Sequence, residues 1–302
     1  MRAASMWMNA ALSAALVSVL SNASVQAAEH KHSHSRIPSY ITAAVDDPGR
    51  PETDKKRDAL RKPADALAFA GVKPGDKVAE IWPAAGYYTR MLSKVVGSSG
   101  HVYMIVPTPA AMGRPPMGAM GAPGRPGMGA PGAARPGMGS SPPGAPGGSG
   151  PPMRRPDMMA MANAIAQNPE YSNVSVIGME AGPAFRLPEQ VDMVWTTENY
   201  HDLHNLPNAD LSIFNTRVFD SLKNGGIYFI EDHAAAAGAG TTETRTLHRI
   251  DPAAVKMEVT AAGFEFVGES KALHNPKDTH KDIVFKMVDK TDRFMFKFRK
   301  PQ

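Results

Sequence analysis

Apolar positions recur along this chain in two alternating periods. Residues 77–82 (KVAEIW) hold a compact apolar run, Val78, Ala79, Ile81 and Trp82, with one acid, Glu80, inside it. Such a run, bounded by turn residues, predicts a buried strand. Pro83-Ala84-Ala85-Gly86 then turns the chain, and Tyr87, Met91, Leu92, Val95 and Val96 follow at helical spacing over 87–96. The rhythm continues with a strand over 101–106, a helix over 157–167, strands over 173–177 and 191–196, and a helix over 210–222. After a turn at Asn224-Gly225-Gly226 come a strand over 227–231, a helix over 252–262 and a strand over 264–268. Upstream, 52–71 predicts a helix that Pro63 ends or kinks. The closing segment 293–300 (RFMFKFRK) alternates apolar and basic residues, which predicts an antiparallel edge strand with one solvated face. The order predicts a doubly wound α/β domain with a mostly parallel sheet and right-handed crossovers.

Three stretches break the rhythm. Residues 1–27 carry Arg2, an apolar segment over 10–20 and the small-x-small triplet Val25-Gln26-Ala27, which together predict a cleaved secretory signal. The apolar segment is about half the length of a membrane span, so no stable span is expected after its removal, and the protein is expected to be exported, periplasmic or secreted. A polar, histidine-containing tail follows over 28–50. Residues 108–156 are Pro, Gly, Ala and Met in near-repeats, a composition that predicts a disordered insert. The insert interrupts a single domain over 51–302, and roughly 220 residues remain to build one core. The formal net charge of +4, with no run of basic residues, gives no sign of a nucleic-acid partner. The absence of cysteine excludes disulfides, thiolate zinc sites and a lipid-attached cysteine.

The element order, with LKNGG before a strand and a C-terminal antiparallel pair, resembles the class I S-adenosylmethionine-dependent methyltransferase superfamily. More narrowly, EIWPAAGYYT, ENYHDL, EDH, LHRID and TDRFMFKFRKP resemble a bacterial family of predicted methyltransferases, many of them exported. The resemblance covers most of the chain from Tyr40 onward, apart from the insert. It implies a doubly wound, mostly parallel, Rossmann-like seven-stranded sheet with a C-terminal antiparallel strand. It also implies methyl transfer from S-adenosylmethionine to a small-molecule substrate. The superfamily's first loop reads acid-x-Gly-x-Gly-x-Gly; here those positions are Glu80, Trp82, Ala84 and Gly86, so only the acid and the last glycine match. The acid usual near the end of the second strand is missing, because Met104-Ile105-Val106-Pro107 runs straight into the insert. By the resemblance, Glu80, Trp82, Ala84, Gly86, Tyr87, Glu180 and Thr196 bind the cofactor, with Glu180 near the adenine.

Ligands of open α/β sheets bind beyond the carboxyl ends of the strands. Two polar clusters fall there, Glu198-Asn199-Tyr200-His201-Asp202-Leu203-His204 and Glu231-Asp232-His233, and neighbouring strands would bring them together. Deprotonation of a methyl acceptor calls for a base that works near neutral pH, which suits histidine. His201 is expected as base, Asp202 as its orienter and His233 as a second polar contact; loop-organising roles for both histidines compete with this reading. Asp202, Asp232 and His233 also form a possible divalent-metal set. Asp251 is expected to cap the helix opened by Pro252, while His248 and Arg249 could reach an anionic group. Trp82, Tyr87 and Tyr88 are divided between stacking on a ligand and core packing.

Cleavage after Ala27 would expose Ala28-Glu29-His30, an amine, two amides and an imidazole in a pattern that suits Cu(II) or Ni(II). His32 and His34 follow, and Met112, Met117, Met120, Met128 and Met138 offer thioethers for Cu(I). The alternative to an enzyme is therefore a degenerate methyltransferase fold acting as an envelope protein that binds a small ligand, copper or nickel.

Overall fold

The computed structural model describes residues 37–113, 157–180 and 183–302. The leader, His30, His32, His34 and the later insert methionines lie outside the described residues. The predicted apolar runs form β1 (Lys77–Ile81), β2 (His101–Pro107), β3 (Val174–Met179), β4 (Val191–Thr197), β5 (Leu222–His233), β6 (Glu265–Ser270) and β7 (Arg293–Arg299). They make one seven-stranded sheet of order β3-β2-β1-β4-β5-β7-β6. Strands β1 to β5 pair in parallel, and β7 runs antiparallel to β5 and β6. This is the doubly wound, Rossmann-like sheet that the sequence predicts. Its order reverses at β1 and β4, the kind of switch point beside which such sheets bind ligands.

Successive strand residues face opposite sides of a sheet, and here both sides are covered. Val78, Met104, Trp195, Phe229 and Met295 face a core built with α1 (Ser39–Val45), α4 (Pro63–Ala70), α5 (Tyr87–Val96) and α6 (Met158–Ala166). Ile81, Ile105, Tyr228, Phe296 and Phe298 face another, built with α8 (Leu211–Ser221) and α9 (Pro252–Ala261). Trp195 is fully buried, with its ring 4.9 Å from that of Tyr88 and 4.1 Å from that of Phe229. Asp157, Asp210 and Asp251 cap α6, α8 and α9 through backbone N–H bonds, so each helix starts at an acceptor side chain that competes poorly inside a helix. No described helix is long and apolar enough to cross a membrane.

Five expectations need correction. The helix expected over 52–71 is three pieces, α2 (Glu52–Lys55), α3 (Asp58–Arg61) and α4: the expected break at Pro63 is there, with Lys62 at φ 44° before it, and a further break falls at Lys56-Arg57. The Asn224-Gly225-Gly226 turn is not a boundary of β5. Val191 pairs with Leu222 and Met193 with Ile227, so residues 223–226 loop out as an irregularity within one strand. The segment expected at an exposed edge, β7, lies between β5 and β6; Arg293 on its basic face is buried and Lys297 Nζ donates to the carbonyl of Phe69 in α4 at 3.2 Å, while Arg299 alone stays exposed. The edge strand on this side of the sheet is β6. Finally, the tail expected over 28–50 is helical from Ser39, where α1 buries Ile41 and Ala44, and Met112 of the expected insert packs against the sheet core.

Candidate functional site

The loop after β1 combines three residues in the left-handed region: Trp82 at φ 50°, Ala84 at φ 50° and Gly86 at φ 79°. Each non-glycine residue there costs roughly 1–2 kcal/mol. The loop therefore takes the backbone path of a glycine-rich turn although two of its three special positions are not glycine. Trp82 is pinned by its N–H, which donates to the Ile105 carbonyl at 2.8 Å, and by its indole Nε1, which points at Met158 Sδ at 3.2 Å. Gly86 opens α5, and a Cβ on it would stand 2.2 Å from Ile165 Cδ1, so α6 rests directly on the loop.

Glu80 sits at the end of β1 on the α5 side, and its buried carboxyl accepts a hydrogen bond from Thr89 Oγ1 at 2.5 Å. Burial pushes its pKa up to about 7, against the smaller opposing pull of Thr89 and Arg90. A cavity of about 270 Å³ lies over it, lined by Glu80, the loop, Tyr87, Thr197, Glu198 and Asn199 together with Asp54, Arg57 and Arg61 from the N-terminal helices. Asn199 donates to the carbonyls of Ile81 and Trp82 at 2.9 and 3.0 Å, and its own Oδ1 is buried with no hydrogen-bond partner among the described residues.

Behind Glu198 lies a dense ion network. Arg293, buried on β7, donates to Glu198 at 2.7 Å and to Glu231 at 3.1 Å. Arg61 donates to the other oxygen of Glu198 at 2.8 Å, and Arg57 makes a two-pronged pair with Asp289, both bonds 2.7 Å. Burial opposes ionisation of Glu198, yet Arg61, His233, Arg293 and Arg57 outweigh it and hold its pKa well below the usual carboxylate range. Glu231 moves the other way: burial dominates over Arg293 and Arg61 and lifts it to about 7. Tyr88 donates its hydroxyl to Glu231 at 3.1 Å.

A second cavity of about 200 Å³ adjoins the first and shares Arg57, Glu198 and Asp202 with it. It is lined further by His201, His233, His248, Phe285 and Val288. The short helix α7 (Tyr200–Leu203) delivers His201 to the end of β5. There Asp232 holds it twice: His201 Nδ1 lies 2.7 Å from Oδ1, and the His201 backbone N–H donates to Oδ2 at 2.8 Å. Asp232 therefore orients His201, in place of the expected Asp202. Asp202 faces the opposite nitrogen, His201 Nε2, at 3.4 Å. Burial works against a protonated His201, but Asp232, Asp202 and Glu198 outweigh it and raise its pKa. Burial also opposes ionisation of Asp232, and there His201 and His233 prevail and lower the pKa. His233 is kept neutral, its pKa pushed down to about 4 by burial against the opposing carboxylates, and its Nδ1 is bonded to Thr291 Oγ1 at 2.7 Å.

The predicted residues thus divide. Glu80, Trp82, Ala84 and Tyr87 line the first cavity, Gly86 lies in the same loop but outside the lining set, and His201, Asp202 and His233 line the second. Thr196 does not line either: it is fully buried in β4, facing the opposite side of the sheet, and its neighbour Thr197 takes the lining position. Glu180 is exposed and outside both lining sets. The possible metal set changes as well. Asp232 stands behind His201 and His233 is engaged by Thr291, while His201, Asp202 and His248 are the groups whose ligand atoms converge. Arg249 does not face a ligand; it is fully buried, paired with Asp278 at 2.9 Å and donating to the Ala234 carbonyl. Arg57, Arg61 and Arg293 escaped the sequence reading, since ordinary basic residues at helix and strand ends carry no local signal of long-range pairing.

The chain is similar to a SAM-dependent methyltransferase from Aquifex aeolicus at 18% identity, covering 83% of this chain and 98% of that one, TM-score 0.46. It is also similar to Aeropyrum pernix fibrillarin in complex with natively bound S-adenosyl-L-methionine, at 15% identity, 80% and 76% coverage and TM-score 0.40. A third similar structure is the N-methyltransferase NodS from Bradyrhizobium japonicum, at 12% identity, 84% and 99% coverage and TM-score 0.44. No family model matches the chain, and no curated protein sequence matches it.

Proposed function

We propose that the chain binds S-adenosylmethionine in the cavity over Glu80 and transfers its methyl group to a small-molecule acceptor seated in the histidine-lined cavity. The observation that carries this reading is the junction of the two cavities at Glu198 and Asp202, beyond the carboxyl ends of β1, β4 and β5. The sequence resemblance to the bacterial predicted-methyltransferase family supports the same reading.

The residues present fit the amino-acid end of the group. The first cavity offers Glu80, together with Asp54 (paired with Arg90) and Glu198 (paired with Arg61 and Arg293), for an ammonium and a sulfonium, the Nη1 of Arg57 left over from its pair with Asp289 for a carboxylate, and the Oδ1 of Asn199 for an N–H donor. The ribose end has fewer partners among the described residues: β2 ends at Pro107, and the Thr108 hydroxyl is spent on the Met179 carbonyl at 2.7 Å. When bound, the sulfonium supplies an electrophilic methyl. The chain's own part is positional. Glu198 and Asp202 border both cavities, and the hydrogen-bond network assigns the proton of the neutral His201 ring to Nδ1, facing Asp232, so in that form, which a pH above its raised pKa favours, Nε2 presents a lone pair to the acceptor. Phe285 and Val288 give the acceptor an apolar wall.

Calorimetric titration with S-adenosylmethionine and with its demethylated product tests the reading. Binding of both is expected, and Glu80→Ala should abolish it. No heat with either compound at millimolar concentration refutes the proposal, and binding without any methyl transfer refutes its catalytic half.

A further inference from the structure

We propose that the histidine-lined cavity binds a divalent transition-metal ion through Nε2 of His201, Nδ1 of His248 and a carboxylate oxygen of Asp202. The three atoms form a triangle: 3.3 Å from His201 Nε2 to His248 Nδ1, 3.4 Å from His201 Nε2 to Asp202 Oδ1, and 3.1 Å from His248 Nδ1 to the same oxygen. Two ligand atoms each about 2.1 Å from a shared ion are about 3.0 Å apart at a right angle and about 3.4 Å apart at the tetrahedral angle. All three sides fall in that interval.

The protons point the same way. With the His201 proton on Nδ1, its Nε2 is an acceptor, and Asp202 is an acceptor too. An ion engages all three lone pairs.

The supporting residues are in place as well. Buried Asp232 grips the outer nitrogen and the backbone of His201, the carboxylate–histidine arrangement that fixes tautomer and ring direction in metal sites. His248 is held at φ 55° and its ring stands 4.7 Å from that of Phe285. The cavity beside the triangle leaves further coordination positions for water or a small ligand. Two imidazole nitrogens and one oxygen suit zinc, cobalt, nickel or ferrous iron, whereas magnesium and calcium prefer oxygen.

The ion would take the lone pair of His201 that methyl transfer uses, so the two occupancies exclude each other. The inference does not rest on methyl transfer, because ion binding is measured without S-adenosylmethionine and either reading can fail alone.

The test is a titration of metal-free, full-length protein with Co²⁺ alone, followed by visible absorption. One Co²⁺ per chain with ligand-field bands is expected. Loss of a residue behind a metal ligand typically weakens binding about 10- to 100-fold, so loss of a direct ligand in His248→Gln should weaken it by at least about 100-fold. Asp202→Asn, at a part-exposed side chain, is the second variant should His248→Gln not fold, with circular dichroism as the check. A variant carrying His30→Ala, His32→Ala and His34→Ala should keep the bands. The proposal is overturned if the wild type shows no bands, if they persist unweakened in the folded His248→Gln or Asp202→Asn protein, or if they vanish with the three tail histidines.

Discussion

Glu80 gives a sharp test of how the ligand site is held. Its carboxyl is buried under α5, with its pKa raised from 4.5 to about 7 by loss of water. A rise of about 2.5 units, at 1.36 kcal/mol each, amounts to about 3 kcal/mol. The sign follows from the direction of the shift. Between the unfolded value and about 7 the folded state binds more protons than the unfolded state, so stability is full below about pH 4.5, falls as pH rises through 7, and is flat beyond. Glu80→Gln keeps the shape of the neutral acid and an acceptor for Thr89, but does not ionise. Urea unfolding of both proteins should therefore differ by less than about 1 kcal/mol at pH 5, and favour Glu80→Gln by about 3 kcal/mol at pH 8.5. The same difference at both pH values would refute the reasoning, since it would mean that Glu80 ionises in the fold as it does in water. A cationic ligand over the carboxylate adds a second signature: binding near pH 6 should release a proton, seen as a calorimetric heat that changes with the ionisation enthalpy of the buffer.

Three further outcomes follow from the geometry. Ala84→Gly relieves a left-handed alanine and should raise stability by about 0.5–1 kcal/mol in urea unfolding, the relief being partly offset by glycine's greater chain entropy. Arg293→Met leaves Glu198 and Glu231 facing each other without their shared guanidinium and should cost about 3–5 kcal/mol in the same assay. His201→Gln should retain S-adenosylmethionine binding by calorimetry while methyl transfer falls by about 10²- to 10⁴-fold, the range for loss of a positioned base.

The strands were legible because buried parallel strands need near-continuous apolar runs, and KVAEI, HVYMIV and VDMVW have them. The meeting of the ENYHDL and EDH clusters was legible for the same reason, since the strands that carry them are neighbours. What failed was parity and pairing. The resemblance places Thr196 at the ligand, yet successive strand residues point to opposite faces and Thr197 holds that place. Adjacency in sequence offers Asp202 as the partner of His201, whereas the short helix α7 turns the ring toward Asp232, 31 positions away. The alternation in RFMFKFRK read as one solvated face, because no local pattern reveals that α3 and α4 fold back over Arg293 and Lys297. Trp82 and Ala84 read as departures from a glycine loop; the surrounding bonds to Ile105 and Met158 over-determine a backbone that the residues alone would avoid.

The ion network has a consequence for how this protein comes into being. Arg61 meets Glu198 across 137 positions and Asp289 across 228, and Arg293 reaches the Leu60 carbonyl across 233. Contacts of such sequence separation carry the greatest loop-closure cost and bear most heavily on folding rate. The cavity wall at Glu198 thus closes only once the opening helices and the last strand have met. A nascent or truncated chain has no finished site, and binding competence in a refolding experiment should appear with the slowest phase, after the parallel strands have formed.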